Sequence, residues 1–281
     1  MKTGILTILT AAALVYTNSA TAETLLTDDF TVTQSATLDP NFEIENRQGG
    51  TLADSLYFIS NQNSNFGVQL GNTVTDVGQP GFPDNGNFLL LADDCGVQNS
   101  MLIDGVLAAG KALSFVFDLY VMPQFNDQSV WNSFTLRASG NSFPIAGFGE
   151  FGMLRRANGG FQFFTNGASI TELPEGTSLG SLFSVTFSDL AGTGSPFDGN
   201  GSKVTILNEG VLIYEYEFAE DNQLSTSGLF FGFNTIRGAV GGVDNLVVST
   251  VEPVPEPATI GFLTLGGLVL VVAMRRKVRE N

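Results

Sequence analysis

The 281-residue chain has no histidine, one cysteine and one tryptophan, and only 12 lysines and arginines stand against 28 acidic residues. Without imidazole, serine-histidine nucleophile pairs and histidine-based zinc sites are excluded, and no Gly-Lys-Ser/Thr phosphate loop occurs. A lone cysteine allows no internal disulfide, so stability must come from a packed core. Cys95 follows Asp93 and Asp94, whose charges disfavour a thiolate, and no imidazole could activate it. It reads as a half-buried thiol beside a turn, with an intermolecular link as the alternative. The formal net charge of −16 repels nucleic acid and anionic lipid, and favours solubility or cation binding.

What the chain does contain begins with signals at its two ends. Lys2 precedes an apolar run from Gly4 to Tyr16, and Ala20-Thr21-Ala22 supplies the small residues a signal peptidase reads, so cleavage is expected between Ala22 and Glu23. At the other end, residues 258–274 carry no charge. As a helix they would reach about 26 Å, close to the thickness of a bilayer core. Pro255 and Pro257 place the helix start after them, and Arg275, Arg276, Lys277 and Arg279 stop the run on the cytoplasmic side. The bland alternative is a buried core helix that ends in a solvated basic turn.

Val254-Pro255-Glu256-Pro257-Ala258-Thr259, then a Gly-containing apolar stretch, then Arg275-Arg276-Lys277, resembles the PEP-CTERM sorting signal of Gram-negative bacteria. The resemblance covers about a tenth of the chain. It implies that the protein is a substrate of an exosortase, a membrane-embedded cysteine-protease-like transpeptidase. In that scheme Pro255, Glu256 and Pro257 are the recognition element, residues 258–274 the membrane segment and the basic cluster the cytoplasmic stop. Export across the inner membrane, transient anchoring and then cleavage near Pro-Glu-Pro would deliver the body to the cell surface or the medium, often among exopolysaccharide.

The expected organisation is a signal peptide over 1–22, a body over 23–249, a spacer over 250–257, a transmembrane helix over 258–274 and a basic tail over 275–281. Three prolines within Thr250 to Pro257 favour an extended spacer open to a processing enzyme. The part between the two cleavage regions keeps seven basic and 27 acidic residues, a net charge of about −20. Its size fits one all-β domain.

Within the body, short apolar or alternating runs recur between turns rich in Gly, Asn, Asp and Pro. They are Asp29 to Thr33, Ser55 to Ile59, Val68 to Leu70, Phe88 to Leu91, Ala112 to Val121, Trp131 to Ala138, Ile145 to Leu154, Gly160 to Thr165, Leu182 to Phe187, Ser202 to Leu207, Gly210 to Phe218, Leu229 to Asn234 and Val243 to Ser249. Leu113, Phe115, Phe117 and Leu119 share one face of their strand. With 33 glycines and 24 phenylalanines, the pattern predicts two stacked antiparallel sheets around an aromatic core, a β-sandwich of jelly-roll type. One or two helical turns are expected near Gly105 to Gly110.

The early Leu26-Thr-Asp-Asp-Phe30, the dozen or so strand runs and the closing Gly242-Val-Asp-Asn-Leu-Val-Val248 resemble concanavalin A-like lectin and glucanase domains. Asn46-Arg-Gln-Gly-Gly-Thr-Leu52 is similar to an Arg-Gln-x-Gly element of some PEP-CTERM bodies, which would make Arg47 a structural pin. These resemblances imply a sandwich and carry little about a ligand.

Among candidate sites, Asp28 and Asp29 lie near the start of the body and Asp244 near its end, where a sandwich brings such positions onto adjacent strands. They could bind calcium, or Asp244 and Asn245 could cap a turn. Asp93 and Asp94 could bind a cation or simply be solvated. Asp198, Asn200, Ser202 and Glu209 match the spacing of an EF-hand loop, but Lys203 replaces the glycine that lets such a loop turn, so a turn feeding a strand is expected. Glu215 and Glu217 would lie about 6.5–7 Å apart on one strand face, a separation glycosidases can use. Tyr216 stands where concanavalin A-like glycosidases usually place an aspartate, so a solvent-facing acidic row is expected and no catalytic residue is assigned. For carbohydrate binding the candidates are Trp131, in polar surroundings that suit either a rim or a turn beside the core, with Tyr120, Tyr214 and Tyr216. The functional expectation is a non-enzymatic surface or matrix protein that binds polysaccharide, against a structural or adhesive protein without a small ligand and a sandwich hydrolase.

Overall fold

Alternation in Leu113 to Leu119 puts every second side chain against the core, and Leu113, Phe115, Phe117 and Leu119 are all fully buried. The structure, a computed structural model, describes residues 22–30, 57–61, 68–70, 88–92, 96–99, 110–121, 130–137, 150–166, 168–173, 179–191, 194–218, 224, 230–236 and 240–252. The expected signal peptide, transmembrane helix, helical turn near Gly105, Arg47 segment, Asp93, Asp94 and Cys95 lie outside the described residues. Among the described residues no helix is long and apolar enough to cross a membrane.

The strands are β1 (Glu23–Asp28), β2 (Tyr57–Asn61), β3 (Val68–Leu70), β4 (Leu89–Ala92), β5 (Gly96–Asn99), β6 (Ala112–Val121), β7 (Trp131–Arg137), β8 (Phe151–Arg156), β9 (Phe161–Thr165), β10 (Ala168–Leu173), β11 (Leu182–Asp189), β12 (Ser202–Asn208), β13 (Val211–Phe218), β14 (Phe230–Ile236) and β15 (Val240–Val251). One sheet runs β13-β12-β11-β6-β15-β4-β3, with β1 also paired to β15; the other runs β10-β9-β8-β7-β14-β5-β2. All pairings between described strands are antiparallel. This is the two-sheet sandwich of jelly-roll type that the sequence predicts.

Phenylalanines from both sheets interlock in the middle. Phe117 of β6 lies 5.1 Å from the rings of both Phe134 of β7 and Phe233 of β14, and Phe151 of β8 lies 5.4 Å from Phe187 of β11. Such offset and edge-on pairs add to the burial of large rings, which is how the core compensates for the missing disulfides.

Strand placement departs from expectation in three places. A strand stands at Glu23–Asp28, before the expected run from Asp29 to Thr33, whose residues 31–33 lie outside the described residues. Asp28 Oδ1 accepts the Phe30 amide at 2.7 Å and Phe30 takes a φ of 50°, which ends β1 at Asp28. β5 and β10 fall outside the expected runs: β5, buried on both faces, has one apolar residue, Val97, and in the edge strand β10 the alternation of Ala168 and Ile170 is broken before Leu173, next to a register shift between Ser169 and Thr171.

Register fixes the ends. Glu23, first after the expected signal-peptidase site, pairs with Thr250, and Ala112 pairs with Val251. Glu23 and Glu252 therefore lie at the same end of the sandwich, where Lys111 is ion-paired with Glu252. Further along the same ladder Tyr120 pairs with Gly242. Eight residues separate Ala112 from Tyr120, about 26 Å of strand, so Tyr120 lies at the opposite end of the ladder from Val251.

Candidate functional site

At that distal end a cleft of about 510 Å³ opens, lined by Tyr120, Val121, Arg155, Arg156, Ala157, Asn158, Gly159, Leu179, Gly180 and Ser181. Its floor comes from a tight hairpin. Asn158 and Gly159, with φ 87° at the glycine, join β8 to β9; the Arg156 amide bonds the Gly160 carbonyl at 2.8 Å, and Asn158 Oδ1 accepts the Gly160 amide at 3.0 Å. Before it, β8 ends on two consecutive arginines whose side chains leave opposite faces of the sheet.

Arg155 reaches across between the sheets. Nη1 donates to the carbonyls of Leu119, at 2.7 Å, and Gly180, at 3.2 Å, and Nη2 to that of Leu179 at 3.2 Å; the guanidinium lies 5.9 Å from the centre of the Phe161 ring. Burial lowers its pKa, but an arginine stays charged in a protein. Arg156 Nη2 donates to Gln162 Oε1.

The opposite wall is held by Asn208, whose side chain accepts the Gly180 amide at 2.9 Å and donates to the carbonyls of Gly180 and Leu182 at 3.1 and 3.0 Å. Ser181 Oγ donates to Asp118 Oδ1 at 2.7 Å, and Asn245 Nδ2 to Asp118 Oδ2 at 2.9 Å. Burial first, then Asp118, raises the Tyr120 pKa, so the phenol stays neutral across physiological pH.

Of the four aromatic candidates, the structure brings only Tyr120 to the cleft. Trp131 begins β7, half-buried, directly across the ladder from Arg156. Its indole Nε1 is shielded and finds no acceptor among the described residues. Tyr214 and Tyr216 lie on edge strand β13 and lean inward. Tyr214 stacks on Phe163 with centroids 4.2 Å apart and planes at 4°, and burial pushes its pKa up to about 12. On the same strand Glu215 and Glu217 are exposed, and Glu215 pairs with Lys203 at 2.9 Å.

Asp28 and Asp244 are buried near one another through the β1–β15 pairing, in which Asp28 faces Leu246. Burial, together with Asp118, Asp29 and Asp28, pushes Asp244 up to about 6, although its hydrogen bond from the Asn245 amide pulls the other way. Among the described residues no three acidic or cysteine side chains are placed to hold a metal ion. The 198–209 segment is a turn: Asp198 accepts the amides of Ser195 and Asn200, glycines 199 and 201 take positive φ, and β12 follows.

Sequence reasoning missed Arg155 and Arg156. Two adjacent arginines just before Asn-Gly, in a body with seven basic residues, were the available signal.

Residues 253–277 match the PEP-CTERM protein-sorting motif. No curated protein matches the chain. Among solved structures, the chain is similar to the binding domain of botulinum neurotoxin DC in complex with rat synaptotagmin II, at 14% identity and TM-score 0.46, covering 86% of this chain and 52% of that one. It is also similar to the botulinum neurotoxin serotype D binding domain, at 12% identity and TM-score 0.44, covering 86% and 52%. The chain spans about half the length of these structures. The motif match makes the chain an exosortase substrate, exported and sorted towards the surface.

Proposed function

We propose that this exosortase-sorted protein crosses the inner membrane of a Gram-negative bacterium after signal-peptidase cleavage at Ala22. It is held briefly by residues 258–274 and is cut near Pro255-Glu256-Pro257. Its sandwich then serves at the cell surface or in the matrix as a non-enzymatic binder of polysaccharide.

The observation that supports binding is the distal cleft. Its volume falls within the range of about 300–1,000 Å³ usual for small-molecule sites. Tyr120 offers a ring, Val121, Ala157 and Leu179 apolar surface, and Asn158, Ser181 and the arginines hydrogen-bonding groups, a mixture that suits a sugar ring. Its position at the end away from the sorting segment leaves it open to the surroundings while the chain is still anchored. The test is affinity electrophoresis of the processed protein through gels carrying different polysaccharides, with Tyr120→Ala as comparison. Retardation that Tyr120→Ala abolishes supports the reading; free migration through every polysaccharide defeats it.

A structural or adhesive role is the second reading. Val211 and Leu212, 65% and 55% exposed at the β12–β13 hairpin, favour it as apolar surface on an edge strand.

A further inference from the structure

We infer that the end of β15 is a latch on sorting: residues 250–252 must leave the sandwich before a processing enzyme can take the Pro255-Glu256-Pro257 segment, and the Lys111–Glu252 ion pair sets how often they do. This rests on the processing step proposed above.

Covalent reach is the constraint. The fold holds the chain as far as Glu252, whose carboxylate is ion-paired with Lys111. Pro255 stands three residues further on, at most about 11 Å away, and Ala258 six residues on, at most about 22 Å. A body of this size has a radius of gyration of about 17 Å. The tether from the folded edge to the motif is therefore shorter than the body is wide, and an enzyme working at the membrane would meet the sandwich before it closed on the motif. Proteins that read an extended peptide engage its backbone and alternate side chains over several residues. On the body side of Pro255 such a stretch includes Glu252 and Val251, whose groups the sandwich already uses.

The hold on this end thins residue by residue. Thr250 is paired on both sides, with Glu23 of β1 and Leu113 of β6, and its Oγ1 accepts the Glu23 amide at 3.3 Å. Val251 is paired with Ala112 of β6, and Glu252 lies beyond the strand, held by its side chain. A strand end of this kind opens locally at low cost. The other half of the latch is fixed. Gly110, with φ 78°, donates its amide to the Gly194 carbonyl at 2.9 Å, and the Gly194 amide donates to Asp189 Oδ2 at 2.7 Å, which anchors Lys111 at the head of β6. An enzyme that binds the open form sees a population set by that opening, so weakening the pair raises the processing rate in proportion.

The experiment follows the full-length chain in its host by pulse-labelling and immunoprecipitation, timing its conversion to the shortened form. Lys111→Ala should be processed about two-fold or more faster than the parent, the effect of losing one exposed ion pair, and Lys111→Arg at the parent rate. Glu252→Gln breaks the same pair from the other side, should match Lys111→Ala, and decides alone if circular dichroism shows Lys111→Ala unfolded. A four-residue Gly-Ser insert between Glu252 and Pro253 adds about 13 Å of reach, removes the need for opening, and should make all four chains equally fast. Processing of the pair-breaking variants no faster than the parent, or a gain that survives the insert, overturns the latch and leaves the sorting reading standing. If Glu256→Ala is processed like the parent, the sorting reading falls and the latch with it.

Discussion

Asn245 donates its side-chain amide to Asp118 Oδ2 at 2.9 Å, tying β15 to β6 at the point where their register slips between Asp244 and Val247. Asn245 stands at this bulge with φ 51°, a conformation asparagine tolerates better than most residues. The slip brings Asp244 opposite Asp118, so two carboxylates share a ladder position and the amide of Asn245 relieves one of them.

That arrangement makes stability depend on the Asp244 proton. Its folded pKa of about 6 exceeds the ordinary 3.8, so the folded state binds the proton more tightly than the unfolded chain. Stability from this group is fully present below about pH 4 and is lost as pH rises through about 6. Thermal melts from pH 4 to 7.5 should show Asp244→Asn gaining stability relative to the parent as pH rises. A constant difference across that range would remove Asp244 from the account.

Asn245→Gly should be tolerated at its positive φ, apart from the lost bond to Asp118, whereas Asn245→Val should cost about 1–2 kcal/mol more because a β-branched residue clashes there. Urea titration of the two variants measures the gap.

Gly241 faces the opposite sheet so closely that an added Cβ would come within 2.6 Å of Asn132 Nδ2 and 2.7 Å of Thr235 Cγ2. Both neighbours are fully buried and cannot swing away. Gly241→Ala should therefore destabilise by about 1–3 kcal/mol, as overpacking does, and lower the melting temperature. Phe117→Ala, which leaves a cavity between Phe134 and Phe233 instead, should cost about 3–5 kcal/mol in the same assay.

Glu256→Ala in the sorting motif should leave the full-length chain in the membrane fraction, while the parent appears shortened at the surface or in the medium. Immunoblots of fractionated cells read the difference, and identical processing of both chains would count against Pro-Glu-Pro recognition.

The candidate site was only half legible before folding. Tyr120 could be picked as an aromatic at a strand end, but its value as a ligand group depends on Arg155, 35 positions later, and on a wall at 179–181 pinned by Asn208. No local pattern encodes that meeting, because strand order in a sandwich is set by long-range pairing. Tyr214 shows the same dependence: on an isolated strand it forms a row with Tyr216, and only the fold stacks Phe163 of the other sheet on its ring. Strands β5 and β10 escaped because one is buried on both faces and the other loses its period of two after Ile170, beside a register shift.

By itself the sequence determined the sorting motif and the sandwich. Both are written in local features, a Pro-Glu-Pro followed by an apolar run and a basic stop, and side chains alternating every two residues. Tertiary structure alone decided that Glu23 and Thr250 lie together in the β1–β15 pair, that Asp244 meets Asp118, and that Arg155 reaches between the sheets about 26 Å away beside Tyr120. Each depends on which strands become neighbours and in what register, and a one-residue slip would turn every one of those side chains to the other face.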